Sequence, residues 1–514
     1  MEGIPIFTAQ ETKALDRRAD AAGVPASVLM ETAGRAVATT ILQRFCPRRV
    51  VLVAGKGGNG GDALVAARAL HAAGVEVRAF SLYPESGLSP LTRAQAVALR
   101  NAAPDAFHVL NELAALEAAL AEADVAVDGL LGIGIDRPLR DRIAQVVTLL
   151  NGSSAKRVAI DLPSGLAADS GELLGEAVHA DVTVSLAAYK PAHLFYPARG
   201  LCGAIEVAEV GYPGQALAEA RPLAWVAGPA FVRAALPARP PTGHKGTFGR
   251  VLVVAGSIGM SGAAILCAAG ALRAGAGLVT VACPAPVAAI VASRLPEALT
   301  LPLPEQGGHL ARRALPRLLA AAERTDALAI GPGLARAPAV GALVLRLLHT
   351  ARGSIVLDAD GLFPLQGRLE RLVPLTGRAV LTPHPGELAR LVRRPAGAID
   401  ADRIETAKTF ARSHGVTLLL KGQPTAIGTS DGRVFLNPTG NAGLATGGSG
   451  DVLTGIIAGF LAGGAGPDHA AVLAAYLHGA TADHLALTMS ERSILPSDLL
   501  AALPRVLQEA EKAA

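Results

Sequence analysis

The sequence predicts an α/β protein of two domains, and three observations carry that prediction. Short β-branched runs alternate with Ala-rich stretches of helical length along the whole chain, the pattern of parallel sheets covered by helices on both faces. With 514 residues, 51% of them apolar, the chain is too long for a single core. Six prolines fall between Pro213 and Pro241 in a stretch with weak apolar patterning, which reads as a connection. The expected domains are therefore 1–215 and 216–514, with a linker at about 213–241.

Taken in order, 50–54, 75–82, 124–131 and 157–162 read as strands of the first half, with 63–73 and 112–123 as helices between them. In the second half 251–255, 277–282, 327–330, 354–358, 379–382 and 417–421 read as strands in the same style. No fixed short period links the halves, so a solenoid is excluded. Aromatics are scarce, and the cores must be built from Ala, Val and Leu on closely packed elements.

Charge and cysteine usage narrow the function classes. A net charge of +4 without a Lys/Arg-rich run argues against nucleic acid as a partner. Cys46, Cys202, Cys267 and Cys283 lack CxxC spacing and read as buried thiols in a reducing compartment. The first twenty residues carry acids and no apolar run, unlike a secretory signal. The longest uncharged run, 274–293, is broken by Gly275, Gly277, Pro284 and Pro286, so no membrane span is expected. The expectation is a cytoplasmic protein with no membrane partner.

The most informative stretch is 441–454, NAGLATGGSGDVLT, which places glycines and an acid where a helix should begin. The N–H groups of Gly448, Ser449, Gly450 and Asp451 could point together at a developing phosphate charge, and Asp451 could take a proton from a hydroxyl. Glycines alone would equally open a packed helix. A second glycine loop, Gly55-Lys56-Gly57-Gly58-Asn59-Gly60-Gly61-Asp62, follows the 50–54 strand. Gly55, Gly57 and Gly60 satisfy GxGxxG, a weak signal alone, and the ribose-binding acid it calls for has no candidate but Glu85, beyond the end of the second strand. Asn59 and Asp62 suit a sugar hydroxyl, an amide or a cation better than pyrophosphate. Loops 128–134 and 161–165 also leave the carboxyl ends of strands, so Asn59, Asp128 and Ser164 could converge on one monovalent cation. Each of the three would also serve as a cap or turn former.

The segments KGGNGGDALVAARAL, VDGLLGIGIDRPL, AIDLPSGL and TVSLAAYKPAHL make residues 1 to about 215 resemble the epimerase domain of the bifunctional NAD(P)H-hydrate repair enzymes. The resemblance implies a Rossmann-like three-layer domain that interconverts the R and S forms of hydrated NADH and NADPH. It implies that Gly58, Asn59, Gly60, Gly61 and Asp62 hold the substrate together with Gly132, Ile133, Gly134, Ile135, Asp136, Arg137, Pro138 and the catalytic Asp161. It also implies that Asn59, Asp128 and Ser164 hold potassium. Gly58 departs from the family's usual asparagine and removes a side-chain contact to substrate, and Ala63 replaces a common glycine.

From Ala224 onward HKGTFGRVLVVAGSIGMSGAA, IGPGL, VLDADGL, LTPHPGEL, LLKGQPTAI and NAGLATGGSGDVLTG resemble the ribokinase-like, nucleotide-dependent dehydratase of the same enzymes. That resemblance makes Asp451 the base that lets the substrate hydroxyl attack the terminal phosphorus of ADP or ATP. Phosphate then leaves readily where hydroxide would not. Lys421, Gly422, Gln423, Pro424, Thr425 and Gly450 would hold nucleotide. Ala263, Gly333 and His384 would meet the hydrate, and Glu387 would hold magnesium through water. A homo-oligomer is expected. There are two rivals: a small-molecule kinase that releases a stable phosphate ester, which Asp451 and its glycine loop would serve equally, and a first domain that merely binds, which would need none of Asn59, Asp128, Asp161 and Ser164.

Overall fold

The computed structural model describes residues 3–512, which divide into two compact units, Ile4–Leu223 and a second made of Gly3 with residues 224–512. The first is a seven-stranded parallel sheet in the order Phe107–Val109, Glu76–Ser81, Arg49–Ala54, Val125–Gly129, Lys156–Ile160, Val182–Leu186, Ala204–Ala208. Alternation along Arg49–Ala54 explains the layers: Val50, Leu52 and Ala54 pack with Val37, Ile41, Leu64 and Leu70 on one face. Val51 and Val53 pack with Leu116, Leu120, Val146 and Leu150 on the other. Each fully buried Val or Leu contributes roughly 1.5–3 kcal/mol. The chain runs outward in one direction from Arg49–Ala54 and in the other from Val125–Gly129. The adjoining carboxyl ends of these two strands are therefore a topological switch point, where such sheets bind ligands.

The second unit places its strands in the order Ala224–Val226, Val434–Leu436, Ala426–Gly428, Thr417–Leu420, Ala379–Leu381, Ser354–Leu357, Ala327–Ile330, Arg250–Val254, Leu278–Pro284, Leu299–Leu303. Pairing is parallel from Thr417–Leu420 through to Leu299–Leu303, and the 426–428 strand is antiparallel to both its neighbours. Its switch point lies between Arg250–Val254 and Ala327–Ile330. Helix Ser449–Ala462 lies against helix Ser261–Arg273 so closely that a Cβ on Gly455 would sit 2.0 Å from the Cys267 carbonyl oxygen.

Two expectations need correction. The first glycine loop is not followed by its helix but forms its opening: the helix spans Gly58–Ala72, because Gly57 ends the extended segment and Gly61 N–H already bonds Gly57 O at 3.1 Å. Cys46 is exposed, at the left-handed end of helix Ala26–Phe45, while Cys202, Cys267 and Cys283 are buried; all four are free thiols. Among the described residues no helix is long and apolar enough to cross a membrane.

Candidate active sites

In the first unit the strand-end loops enclose a cavity of about 440 Å³. The first glycine loop forms one wall, pinned by Ser89 N–H to Lys56 O at 2.9 Å and by Thr92 Oγ1 to Gly57 O at 2.9 Å. Gly55 allows the next loop to cross, since a Cβ there would lie 1.9 Å from Leu130 O. Of the expected substrate residues, Gly58, Asn59, Asp62, Gly132, Ile133, Gly134, Ile135 and Asp161 line the cavity. Gly60 and Gly61 are buried behind it, against Gly55 O and Met30 respectively. Asp136, Arg137 and Pro138 are exposed farther along the loop and do not line it. Glu85 sits in a short turn, paired with Arg100, and is not a strand-end ribose ligand.

Asn59, Asp128 and Ser164 are brought together around Leu131. Asn59 Nδ2 donates to Leu131 O at 3.0 Å, and Ser164 Oγ accepts from Leu131 N–H at 3.0 Å and donates to Asp128 Oδ1 at 2.7 Å. Asp128 also accepts from Ser164 N–H at 2.7 Å. Burial pushes the Asp128 carboxyl up to about 6 against these hydrogen bonds, and no cationic side chain acts on it. A buried carboxyl without a cationic partner among the described residues, beside the Ser164 hydroxyl and near the Leu131 carbonyl that Asn59 holds, fits an alkali cation.

Asp161 stands in the left-handed region at φ +63°, and its Oδ1 accepts from Leu186 N–H at 3.0 Å and from the buried Lys190 ammonium. Lys190 Nζ also donates to Leu186 O at 2.9 Å and Ala188 O at 3.2 Å, so all three of its protons are placed. His193 completes the unit. Its Nδ1 accepts from Lys190 N–H at 3.0 Å, which leaves Nε2 to donate to Asp161 O at 2.8 Å. Burial, then the Lys190 charge, takes this imidazole down to about 3, so it is neutral. Sequence reasoning did not single out Lys190, His193, Asp16 or Tyr212 as site residues. The last two are hydrogen-bonded to each other on the cavity wall. The signal for Lys190 was a lysine directly before a proline at the end of a buried strand, inside a motif already quoted.

In the second unit the helix Ser449–Ala462 opens at Gly448, whose φ of +99° suits glycine alone. Asp451 occupies its first turn. Ser449 N–H turns back to Thr446 O at 3.2 Å, so it does not join the expected row of free donors; Gly450 and Asp451 have no acceptor one turn earlier. Ser449 Oγ lies 3.3 Å from Nε2 of buried His478, which burial takes down to about 4. Lys421 Nζ donates to Asp358 Oδ1 at 2.6 Å, and Thr454 Oγ1 donates to Asp358 Oδ2 at 2.8 Å. A Cβ on Gly450 would stand 3.1 Å from Lys421 Nζ, so the ammonium abuts the helix opening. Burial first, then the charge of Asp358, raises the Asp451 carboxyl to about 7, with Lys421 opposing. A carboxyl at that value is matched to taking a proton near neutral pH.

The remaining expected residues surround this centre unevenly. Ala263 and Gly333 adjoin at the switch point: a Cβ on Gly333, at φ +62°, would lie 3.0 Å from that of Ala263. In the 421–425 loop Gly422 and Gln423 are exposed, and Pro424 is buried. Buried Arg403, another residue the sequence did not reveal, donates to Pro424 O at 3.0 Å and Lys421 O at 3.3 Å and holds that loop. His384 and Glu387 form a reciprocal helix cap: Glu387 Oε2 accepts from His384 N–H at 3.0 Å, and His384 Nδ1 accepts from Gly386 N–H at 3.1 Å. Glu387 lines a narrow crevice with Arg336 and Ala359.

Two family models match: residues 26–192 fit the YjeF-related protein N-terminus and residues 251–505 fit NAD(P)H-hydrate dehydratase. Along its full length the chain is 42% identical to the bifunctional NAD(P)H-hydrate repair enzyme of Moorella thermoacetica, covering 99% of this chain and 97% of that one. The chain belongs to the bifunctional NAD(P)H-hydrate repair family. A second member, from Salinibacter ruber, is 38% identical over 98% of this chain and 96% of its own length. Among solved structures, the ADP/ATP-dependent NAD(P)H-hydrate dehydratase of Bacillus subtilis, co-crystallised with ATP and Mg2+, is 35% identical. It covers 55% of this chain and 98% of its own, with a TM-score of 0.47.

Proposed function

We propose that this repair-family chain restores damaged NADH and NADPH in two steps. The first unit interconverts the R and S hydrates, and the second dehydrates the S form at the expense of ADP or ATP, releasing phosphate and AMP or ADP. The observation that carries the second activity is Asp451, a carboxyl raised to about 7 in the first turn of a glycine-opened helix beside the Lys421 ammonium. Asp451 takes the proton of the substrate hydroxyl. The N–H groups of Gly450 and Asp451, with Lys421, stabilise the phosphoryl group as it transfers, and the nicotinamide ring nitrogen then expels phosphate. Asp358 holds Lys421 and Thr454 together, and Arg403 holds the carbonyls of the 421–424 loop so that its exposed face stays toward nucleotide.

Magnesium would neutralise the phosphates and would be met by Glu387 through water, a mode in which one carboxylate and the phosphates suffice. In the first unit Asn59, Asp128 and Ser164 would hold potassium, which would compensate the buried carboxyl and fix the loop at Leu131. The decisive assay supplies mixed R and S hydrate with ADP or ATP and follows dihydronicotinamide absorbance and phosphate. Full recovery with stoichiometric free phosphate is expected. A stable phosphate ester in place of reduced nicotinamide would make the protein a small-molecule kinase instead.

A further inference from the structure

Asp62 lies near the start of helix Gly58–Ala72, is 7% exposed, and lines the 440 Å³ cavity. No group among the described residues hydrogen-bonds its carboxyl. What acts on it is burial, then the charges of Asp161 and Asp16, and all three favour the protonated form. Buried polar side chains are nearly always paired, so an orphan aimed into a cavity is a donor kept for a ligand. The other charged groups on the wall are engaged or exposed. Lys190 spends its protons on Asp161, Leu186 and Ala188, Asp16 is bonded by Tyr212, and Lys56 is exposed near the Tyr83 ring. Asp161 is the complement of Asp62: its Oδ1 accepts from the Lys190 ammonium and from Leu186 N–H, where Asp62 has no such donor.

We propose that Asp62 and Asp161 are the acid and base of epimerisation, with Asp62 giving its proton to the ring nitrogen of the hydrated nicotinamide as the ring opens. This rests on the reading of the first unit as the epimerase. The hydrate is a carbinolamine, the nitrogen analogue of a cyclic sugar hemiacetal. Asp161 takes the proton of the hydroxyl, the C–O bond becomes a carbonyl, and the C–N bond breaks with its electron pair going to nitrogen. Nitrogen takes the Asp62 proton. The free aldehyde turns about its C–C bond, nitrogen attacks the other carbonyl face, its proton returns to Asp62, and the new alkoxide recovers the proton on Asp161. Both carboxyls end as they began, and no water or oxidant is consumed. The C–O bond survives throughout, which separates this route from loss and return of water.

The test uses the full-length protein without nucleotide and hydrate carrying oxygen-18 in its hydroxyl, with R and S resolved by chromatography. Wild type should interconvert the epimers through many turnovers with the label retained; loss of label at each interconversion would mean C–O cleavage and overturn the proposal. Asp62→Asn should lower kcat about 100- to 10,000-fold, the usual range for a proton-transfer group, with KM within about threefold. Its unfolding midpoint should be unchanged or higher, since the amide replaces an unpaired acid. A kcat within tenfold of wild type, or a loss confined to KM, makes Asp62 a binding residue only. Wild type that interconverts nothing would instead sink the epimerase reading itself, and the labelling experiment depends on no variant folding.

Discussion

The two units set the same electrostatic parts at the carboxyl ends of their strands and use them differently. Each has a lysine–aspartate pair, buried Lys190 with Asp161 and half-buried Lys421 with buried Asp358, and each has a second acid of raised pKa near the start of a glycine-opened helix. In the first unit that second acid, Asp62, is buried in a cavity wall, and burial, with the charges of Asp161 and Asp16, raises its carboxyl well above the usual range. In the second, Asp451 is only half-buried and Lys421 opposes the shift, so it stays near 7 and can release or accept. Depth of burial, more than residue type, separates a proton donor from a proton acceptor here.

Asp451→Asn tests the contrast most strongly. Dehydration should fall about 100- to 10,000-fold while R/S interconversion is unchanged, each read from the same preparation. The same contrast has a pH signature. A base must be ionised, so the dehydration rate should rise about tenfold per pH unit below about 7 and level off above it; a flat profile from pH 5.5 to 8 would remove Asp451 from that role. The sign for stability is opposite. Because the folded carboxyl binds its proton more tightly than the unfolded one at 3.8, folding stability should decline as pH climbs from about 4 to about 7, and Asp451→Asn should abolish that part of the decline.

Arg403→Ala comes next in expected size. Losing charged donors to Lys421 O and Pro424 O should raise the KM for ADP or ATP about tenfold, with kcat for epimerisation untouched. An unchanged nucleotide KM would show that the 421–425 loop keeps its shape without support. Asp128→Ala should have the smallest effect, a severalfold slowing of epimerisation that mimics replacing potassium with a bulky organic cation. The two treatments together should do no more than either alone.

How much of this was legible in the sequence depends on the kind of interaction. Strands such as 327–330 are visible because burial on both faces demands an unbroken apolar run, and the glycine loops because backbone crossings exclude a Cβ, as at Gly55. Asp451 stood out because its glycines and its acid are neighbours in the chain. Arg403, Lys190 and Asp358 did not, since each acts on a partner 18 to 63 residues distant, and lying inside a quoted segment, as Lys190 and Asp358 do, does not reveal that partner. The HPGE segment was visible but ambiguous: the spacing that suggested ligands is also that of a helix cap, and the cap is what the backbone there uses.

The contact between Gly455 and the Cys267 carbonyl has a bearing on motion. Gly270 and Gly459 also bring the two helices close, with a Cβ 2.6 Å from Val452 O at the first and 2.8 Å from Ala271 O at the second. Backbones in such contact cannot slide or rotate past each other without collision, so helix Ser449–Ala462 behaves as a fixed rail with Asp451 mounted at its end. Whatever opens to admit nucleotide and release product must lie in the loops, chiefly the exposed Gly422–Gln423 tip. Hydrogen exchange along the chain should therefore be slowest at the amides of 453–460 and should respond to nucleotide at 421–425, leaving the helix unaltered through the whole catalytic cycle.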